Sequence, residues 1–244
     1  MSSHRVCDGM KKGVFAHATL MILGEMALLA SSALILIGLA RGITGRLGVN
    51  DFAASFLIFV IILLNVRGGV TLTQGFTLSL GGVLSVIVCL YMVIARSEKT
   101  SDFLFATLSM LGNAGIVFVY TLHFLRATSI DPMALSALLS VLAGLWCAFA
   151  ARRTFASCLF AAVTGGFLGT TIYLIFFQKS GNIGGSYAFA TMWLSAIFGL
   201  TIQYLLSIMM RATKSPRTDS YFEAGELMEK EDEDEAENVN RRDR

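Results

Sequence analysis

The chain has 244 residues, of which 55% are hydrophobic and only 15% charged; its 19 Lys or Arg and 17 Asp or Glu leave a formal net charge of +2. With a mean hydropathy of +0.68, this composition argues against an ordinary soluble domain and offers no dense basic surface for nucleic acid. The charge is divided between two regions: residues 1–210 hold 12 basic and 6 acidic residues, residues 211–244 hold 7 and 11.

From residue 14 to 210 the chain reads as seven apolar blocks separated by short polar breaks: 14–40, 52–66, 76–95, 103–125, 132–150, 155–177 and 187–210. A bilayer core needs about 20 mostly apolar residues per crossing helix, with a range of roughly 17 to 25. The expected fold is therefore an all-α membrane protein, a polytopic bundle of about seven transmembrane helices. Residues 1–13 form an N-terminal segment, 14–210 the transmembrane domain and 211–244 a disordered charged tail. The blocks lack the inside/outside alternation of a membrane β-barrel. Lys11 and Lys12 ahead of the first block give it a signal-like look, but the apolar run continues to Ala40 without a clear cleavage site and reads as a retained helix.

The second block is short, and it runs into Asn65-Val66-Arg67-Gly68-Gly69-Val70-Thr71-Leu72-Thr73-Gln74-Gly75. That stretch reads either as a plain loop or as a re-entrant segment, which membranes tolerate only where it is buried in protein or lines a wet cavity. Lys and Arg concentrate in cytoplasmic loops. With seven crossings, Arg41, Arg46, Arg96, Lys99, Arg152, Arg153, Arg211, Lys214 and Arg217 fall on one side. The other side collects Arg5, Lys11, Lys12, Arg67, Arg126 and Lys179, so the C-terminus is expected in the cytosol. Six crossings with both ends inside is the alternative that would satisfy Lys11 and Lys12. The basic start of the tail suits anionic headgroups, while its acidic run from Glu229 to Glu237 cannot bury enough apolar surface to fold. The tail reads as a solvated segment, or as a docking segment through Tyr221 and Phe222.

Four glycine pairs recur: Gly68-Gly69, Gly81-Gly82, Gly165-Gly166 and Gly184-Gly185. They read first as sites of close helix packing and second as a weak repeat of the kind that interrupts transporter helices. Ionisable groups deep in a membrane are functional candidates by default. Glu25 is the one acid well inside a block, with Arg67 or His17 as possible partners, unless the first helix begins near it. Asp51, Asp102 and Asp131 stand at block starts, where carboxylates cap helices. Asn113 and His123 are further polar positions. Cys7, Cys89, Cys147 and Cys158 show no paired spacing, so neither a disulfide nor a metal is expected, and no cofactor is indicated. No GxSxG, P-loop or HExxH occurs, and no pair of carboxylates shares a membrane level.

The order Leu47-Gly48, Ala53-Ala54, Leu63-Leu64-Asn65, Ser79-Leu80-Gly81-Gly82-Val83-Leu84, Leu90-Tyr91, Gly165-Gly166-Phe167-Leu168-Gly169-Thr170-Thr171 and Ile183-Gly184-Gly185-Ser186-Tyr187-Ala188-Phe189-Ala190 resembles a bacterial and archaeal family of integral membrane proteins known only as a domain of unknown function. The resemblance covers about residues 47–208 and implies a helical membrane architecture in a prokaryotic inner membrane. The family pattern places an aspartate at each of two positions that are Thr171 and Ala190 here. Either intramembrane proteolysis or proton coupling needs those carboxylates, so the departure favours a structural or binding role.

The first functional expectation is a non-enzymatic membrane component, a subunit or assembly partner, in contact with the lipid bilayer and with other membrane proteins or copies of itself. The second is a transporter or channel with a polar cavity around residues 65–79 and 164–171. Its candidate lining residues are Glu25, Asn65, Arg67, Thr71, Gln74, Asn113, Thr170 and Thr171. The third is an intramembrane enzyme.

Overall fold

The structure, a computed structural model, describes residues 22–73, 75–97, 99–124, 132–151, 154–178 and 180–213. Cys7, Lys11, Lys12, His17, Gln74, Arg126, Asp131, Arg152, Arg153, Lys179 and the tail with Tyr221 and Phe222 lie outside the described residues. The chain divides into two units, Met1–Tyr204 and Leu205–Arg244, the second described only for the last turns of its helix.

Among the described residues the fold is almost entirely helical. The helices are α1 (Ile22–Leu36), α2 (Arg41–Leu47), α3 (Asp51–Val66), α4 (Leu80–Arg96), α5 (Thr100–Phe124), α6 (Pro132–Ala150), α7 (Phe155–Tyr173) and α8 (Ser186–Thr213). A π-helical turn, Leu174–Gln178, extends α7. Three helices, Thr100–His123, Phe155–Gln178 and Tyr187–Met210, are long and apolar enough to cross a membrane; α1 and α2 together make a fourth if their bent pair is one span. Helices α3 and α4 are apolar but shorter: 16 and 17 residues reach only about 24–26 Å at the α-helical rise.

Two departures from the sequence reading come from one cause, which is that an apolar run does not reveal its backbone. The first block, described from Ile22, is helical only to Leu36: residues 37–40 turn, with Gly38 at φ +88, and α2 follows beyond the block at 93° to α1. The stretch after Asn65 has regular structure of its own that the sequence reading did not foresee. It is a hairpin of β1 (Gly69–Thr73) and β2 (Phe76–Ser79), so the first four residues of the third block are strand.

A short strand β3 (Gly181–Ile183) pairs in parallel with β2, Phe76 opposite Gly181 and Leu78 opposite Ile183. Four helices, α4 to α7, separate these neighbouring strands in the chain. The α3–α4 and α7–α8 connections therefore lie at the same end of the bundle.

Small residues set the helix packing. On α7, a Cβ at Gly165 would stand 2.7 Å from the Met110 carbonyl oxygen, and one at Gly169 would stand 2.6 Å from that of Ala114. This Gly-xxx-Gly spacing lets α7 lie against the backbone of α5, a geometry typical of membrane helix pairs. Gly144 of α6 and Gly199 of α8 cross in the same way.

The core is mainly apolar, with Leu28, Ile61, Phe189 and Met192 among its buried side chains, but large apolar side chains also cover much of the exposed surface and several small polar ones are buried. On α3, Phe52, Phe56, Phe59, Leu63 and Val66 form one exposed stripe at helical spacing, with Phe52 72% exposed. Ser85, Asn113, Ser136, Ser140, Thr191 and Ser195 are all fully buried. Ser85, Ser140 and Ser195 satisfy their hydroxyls on carbonyls one turn back in their own helices.

Candidate functional site

The structure brings two of the sequence candidates together. Glu25 of α1 accepts a hydrogen bond from Asn65 Nδ2 at 3.0 Å, across 40 residues of chain. Asn65 Oδ1 accepts in turn from Ser79 Oγ at 2.9 Å. Ser79 is the N-cap of α4, and its oxygen accepts from the Gly82 amide at 3.3 Å. The result is a polar latch that ties α1, the last turn of α3 and the β2–α4 junction. It forms because Gly81 lets α4 approach α3 closely: a Cβ there would stand 2.7 Å from the Ile61 carbonyl oxygen and 2.8 Å from Asn65 Cβ. Gly24, beside Glu25, lies against the backbone of Ala190, which brings α1 onto α8 at this level.

The chemistry of this latch is limited by its acceptors. Ser79 donates to an amide oxygen, which is no base and cannot take the proton of a nucleophile. Asn65 separates the serine from the carboxylate, so Ser79 and Glu25 do not form a Ser–acid pair. The Arg41–Asp51 salt bridge, at 3.2 Å, lies away from the latch, and Glu25 makes no ion pair among the described residues. No group of three metal-ligating side chains occurs among the described residues.

The other candidates go elsewhere. Arg67 is the exposed C-cap of α3, and Thr71 is exposed in β1 opposite Thr77. Asn113 is fully buried and donates from Nδ2 to the Ala161 and Ala162 carbonyls at 2.9 and 3.3 Å, which clamps α5 to α7. Thr170 and Thr171 return their hydroxyls to α7 itself, on Gly166 and Phe167. Cys89, Cys147 and Cys158 are buried free thiols. At the start of α3 the cap is Asn50, which accepts from Phe52; Asp51 instead binds Arg41 and the Thr44 hydroxyl, holding α2 to α3.

The glycine pairs occupy contacts. Gly69 faces the Leu78 backbone, Gly82 faces Gly184, Gly166 faces Met192 and Gly185 faces Asn182, whereas Gly68 opens on nothing within 4 Å. Gly184, at φ +71, makes the sharp turn from β3 into α8 with the Phe167 ring against it.

Two features escape sequence reading. The first is a set of buried hydroxyls between α5 and α8: Thr121 and Thr191 lie beside the Tyr187 hydroxyl. None of the three oxygens completes a hydrogen bond among the described residues. The second is a partly enclosed apolar cavity of about 200 Å³ between α1, α2, α3, α4 and α8. It includes none of the polar candidates, and only its end at Leu28 and Ile61 lies toward the latch. No protein-family model matches the chain, and neither a curated protein nor a solved structure matches it.

Proposed function

We propose that this chain is a multi-pass integral membrane protein with a non-enzymatic role, a subunit or assembly partner of a membrane complex. The membrane reading rests on the three helices long and apolar enough to span and on the many large apolar side chains exposed on the surface, the α3 stripe among them. Contiguous apolar surface on that scale marks contact with lipid or with other proteins. In this reading α1 with α2, and α3 to α8, make seven crossings, and the short α3 and α4 are accommodated by local thinning of the bilayer. The parallel β2–β3 pairing supports an even number of crossings between those strands. Arg41, Arg46 and Arg96 would then face the cytosol of a prokaryotic cell, together with the C-terminal tail.

The single observation that favours a structural role is the Glu25–Asn65–Ser79 latch. The one acid inside an apolar block is engaged in fastening three elements, with no base, metal set or second carboxylate beside it among the described residues. The resemblance to the uncharacterised prokaryotic membrane family belongs to the same proposal, with Thr171 back-bonded and Ala190 packed on Gly24 where the family pattern has aspartates. A transport role would need a hydrated path through residues 65–79 and 164–171. There Asn65, Thr170 and Thr171 bond internally instead.

Purification of the intact protein in mild detergent, followed by size determination and subunit stoichiometry, tests this reading. A stable complex of fixed stoichiometry that is kept by Glu25→Gln is expected. A monomer that moves solute in vesicles, and stops doing so in Glu25→Gln, would overturn it.

A further inference from the structure

Helical threonines in this bundle usually place their hydroxyl proton on their own backbone. Thr107, Thr170, Thr171 and Thr201 all donate to the carbonyl one turn back, the local bond open to any helical threonine. Thr121 of α5 and Thr191 of α8 depart from that habit. They are 1% and 0% exposed, yet neither hydroxyl completes a bond to its own helix or to any other described group. Both lie beside the hydroxyl of Tyr187, one turn before Thr191 on α8, and that oxygen is buried and unpartnered too. Three orphaned oxygens from two helices therefore share one buried spot.

That spot lies on a seam of the apolar core. The main body of the core includes Val163, Phe189 and Met192, while Val117, Tyr120, Leu139 and Ala143 form a smaller group against which Tyr187 packs. Thr121 follows Val117 by one turn, and Thr191 stands between Phe189 and Met192 in the chain, so the hydroxyls fall where the two parts meet. A buried oxygen without a partner is costly, and three together are a cost that a marginally stable fold avoids. The chemistry of the group restricts what can relieve that cost. The three side chains carry no charge and cannot offset the desolvation of an ion, and a hydrocarbon would leave all three oxygens as they are. A small neutral molecule that both donates and accepts fits, and buried waters typically make about three hydrogen bonds to otherwise unsatisfied groups.

We propose that Thr121, Tyr187 and Thr191 form a binding site for one ordered water molecule that joins α5 to α8. The water is the counterpart of the Asn113 clamp: Asn113 fastens α5 to α7 directly, and the water fastens α5 to the first turns of α8, just after the chain leaves β3. The site goes beyond the assembly role proposed above and does not depend on it.

Threonine methyl groups report on the site directly. The full-length protein, isotope-labelled at its threonine methyls and reconstituted in phosphatidylcholine vesicles, is studied by solid-state NMR for magnetisation transfer from water protons. Thr170 is the internal control, since it is only 2% exposed and its hydroxyl already donates to the Gly166 carbonyl. The Thr121 and Thr191 methyls should receive several-fold more water magnetisation than that of Thr170, and Tyr187→Phe, which removes one of the three partners, should cut the excess several-fold at both. Thr121→Val keeps the shape of the side chain and should lower the thermal unfolding midpoint by a few degrees, because the water and the remaining hydroxyls lose a partner. Replacing all three together, as Thr121→Val, Tyr187→Phe and Thr191→Val, removes the whole polar group and should recover most of that loss. Transfer to Thr121 and Thr191 no greater than to Thr170, or transfer unchanged in Tyr187→Phe, overturns the proposal. So does a rise of the midpoint in Thr121→Val, which would mean that this hydroxyl has no partner to lose.

Discussion

Asn65 is the residue on which the polar latch turns, because it serves a carboxylate with one atom and a hydroxyl with the other. Asn65→Ala strands both partners in a poorly hydrated setting, so we expect a loss of about 1–2 kcal/mol in unfolding measured in mixed micelles. Glu25→Gln keeps an oxygen that can accept from Asn65 Nδ2, and its effect should stay within about 0.5 kcal/mol. A large loss in Glu25→Gln would mean that the negative charge itself matters. Glu25 stands out in the sequence because an acid inside an apolar block is rare, and Asn65 because it ends one. Their pairing does not stand out, since a separation of 40 residues is set by how α1 and α3 pack, and the sequence points equally to Arg67 or His17. Ser79 carries no signal at all: only the end of β2 turns it into a cap.

At the scale of elements, the α5–α7 contact depends on what glycine lacks. Gly169→Leu forces side-chain atoms onto the Ala114 carbonyl, and we expect it to destabilise the fold by about 1–3 kcal/mol. Gly115, on α5 with nothing within 4 Å, is the control. Gly115→Ala should be neutral or stabilising by up to about 1 kcal/mol, as expected for removing a glycine from a helix interior. Thermal unfolding of both variants in one detergent separates close packing from general intolerance of substitution. Helix positions are read well from hydropathy: the blocks 52–66, 132–150 and 155–177 coincide closely with α3, α6 and α7 with its π turn. What hydropathy cannot register is a change of backbone inside an apolar run. The break at 37–40 and the strand at Phe76–Ser79 are both hidden in that way; the strand pairs with Gly69–Thr73 just before it and with Gly181–Ile183, a hundred residues further on.

At the scale of the whole molecule, the proposed arrangement makes one end of the bundle extracytoplasmic and the other cytosolic, with the three-stranded sheet at the first and the α2 arginines at the second. The most direct measurement is cysteine labelling with a membrane-impermeant reagent, from each side of sealed vesicles, in a protein whose native cysteines are replaced by alanine. Thr71→Cys and Asn182→Cys, both in the sheet, should label from one side only and from the same side. Val49→Cys and Ser97→Cys should label only from the other, and Phe56→Cys, on the outward stripe of α3, from neither. Labelling of Phe56→Cys by the aqueous reagent, or of Thr71→Cys and Ser97→Cys from the same side, would contradict a bundle of alternating helices immersed in lipid.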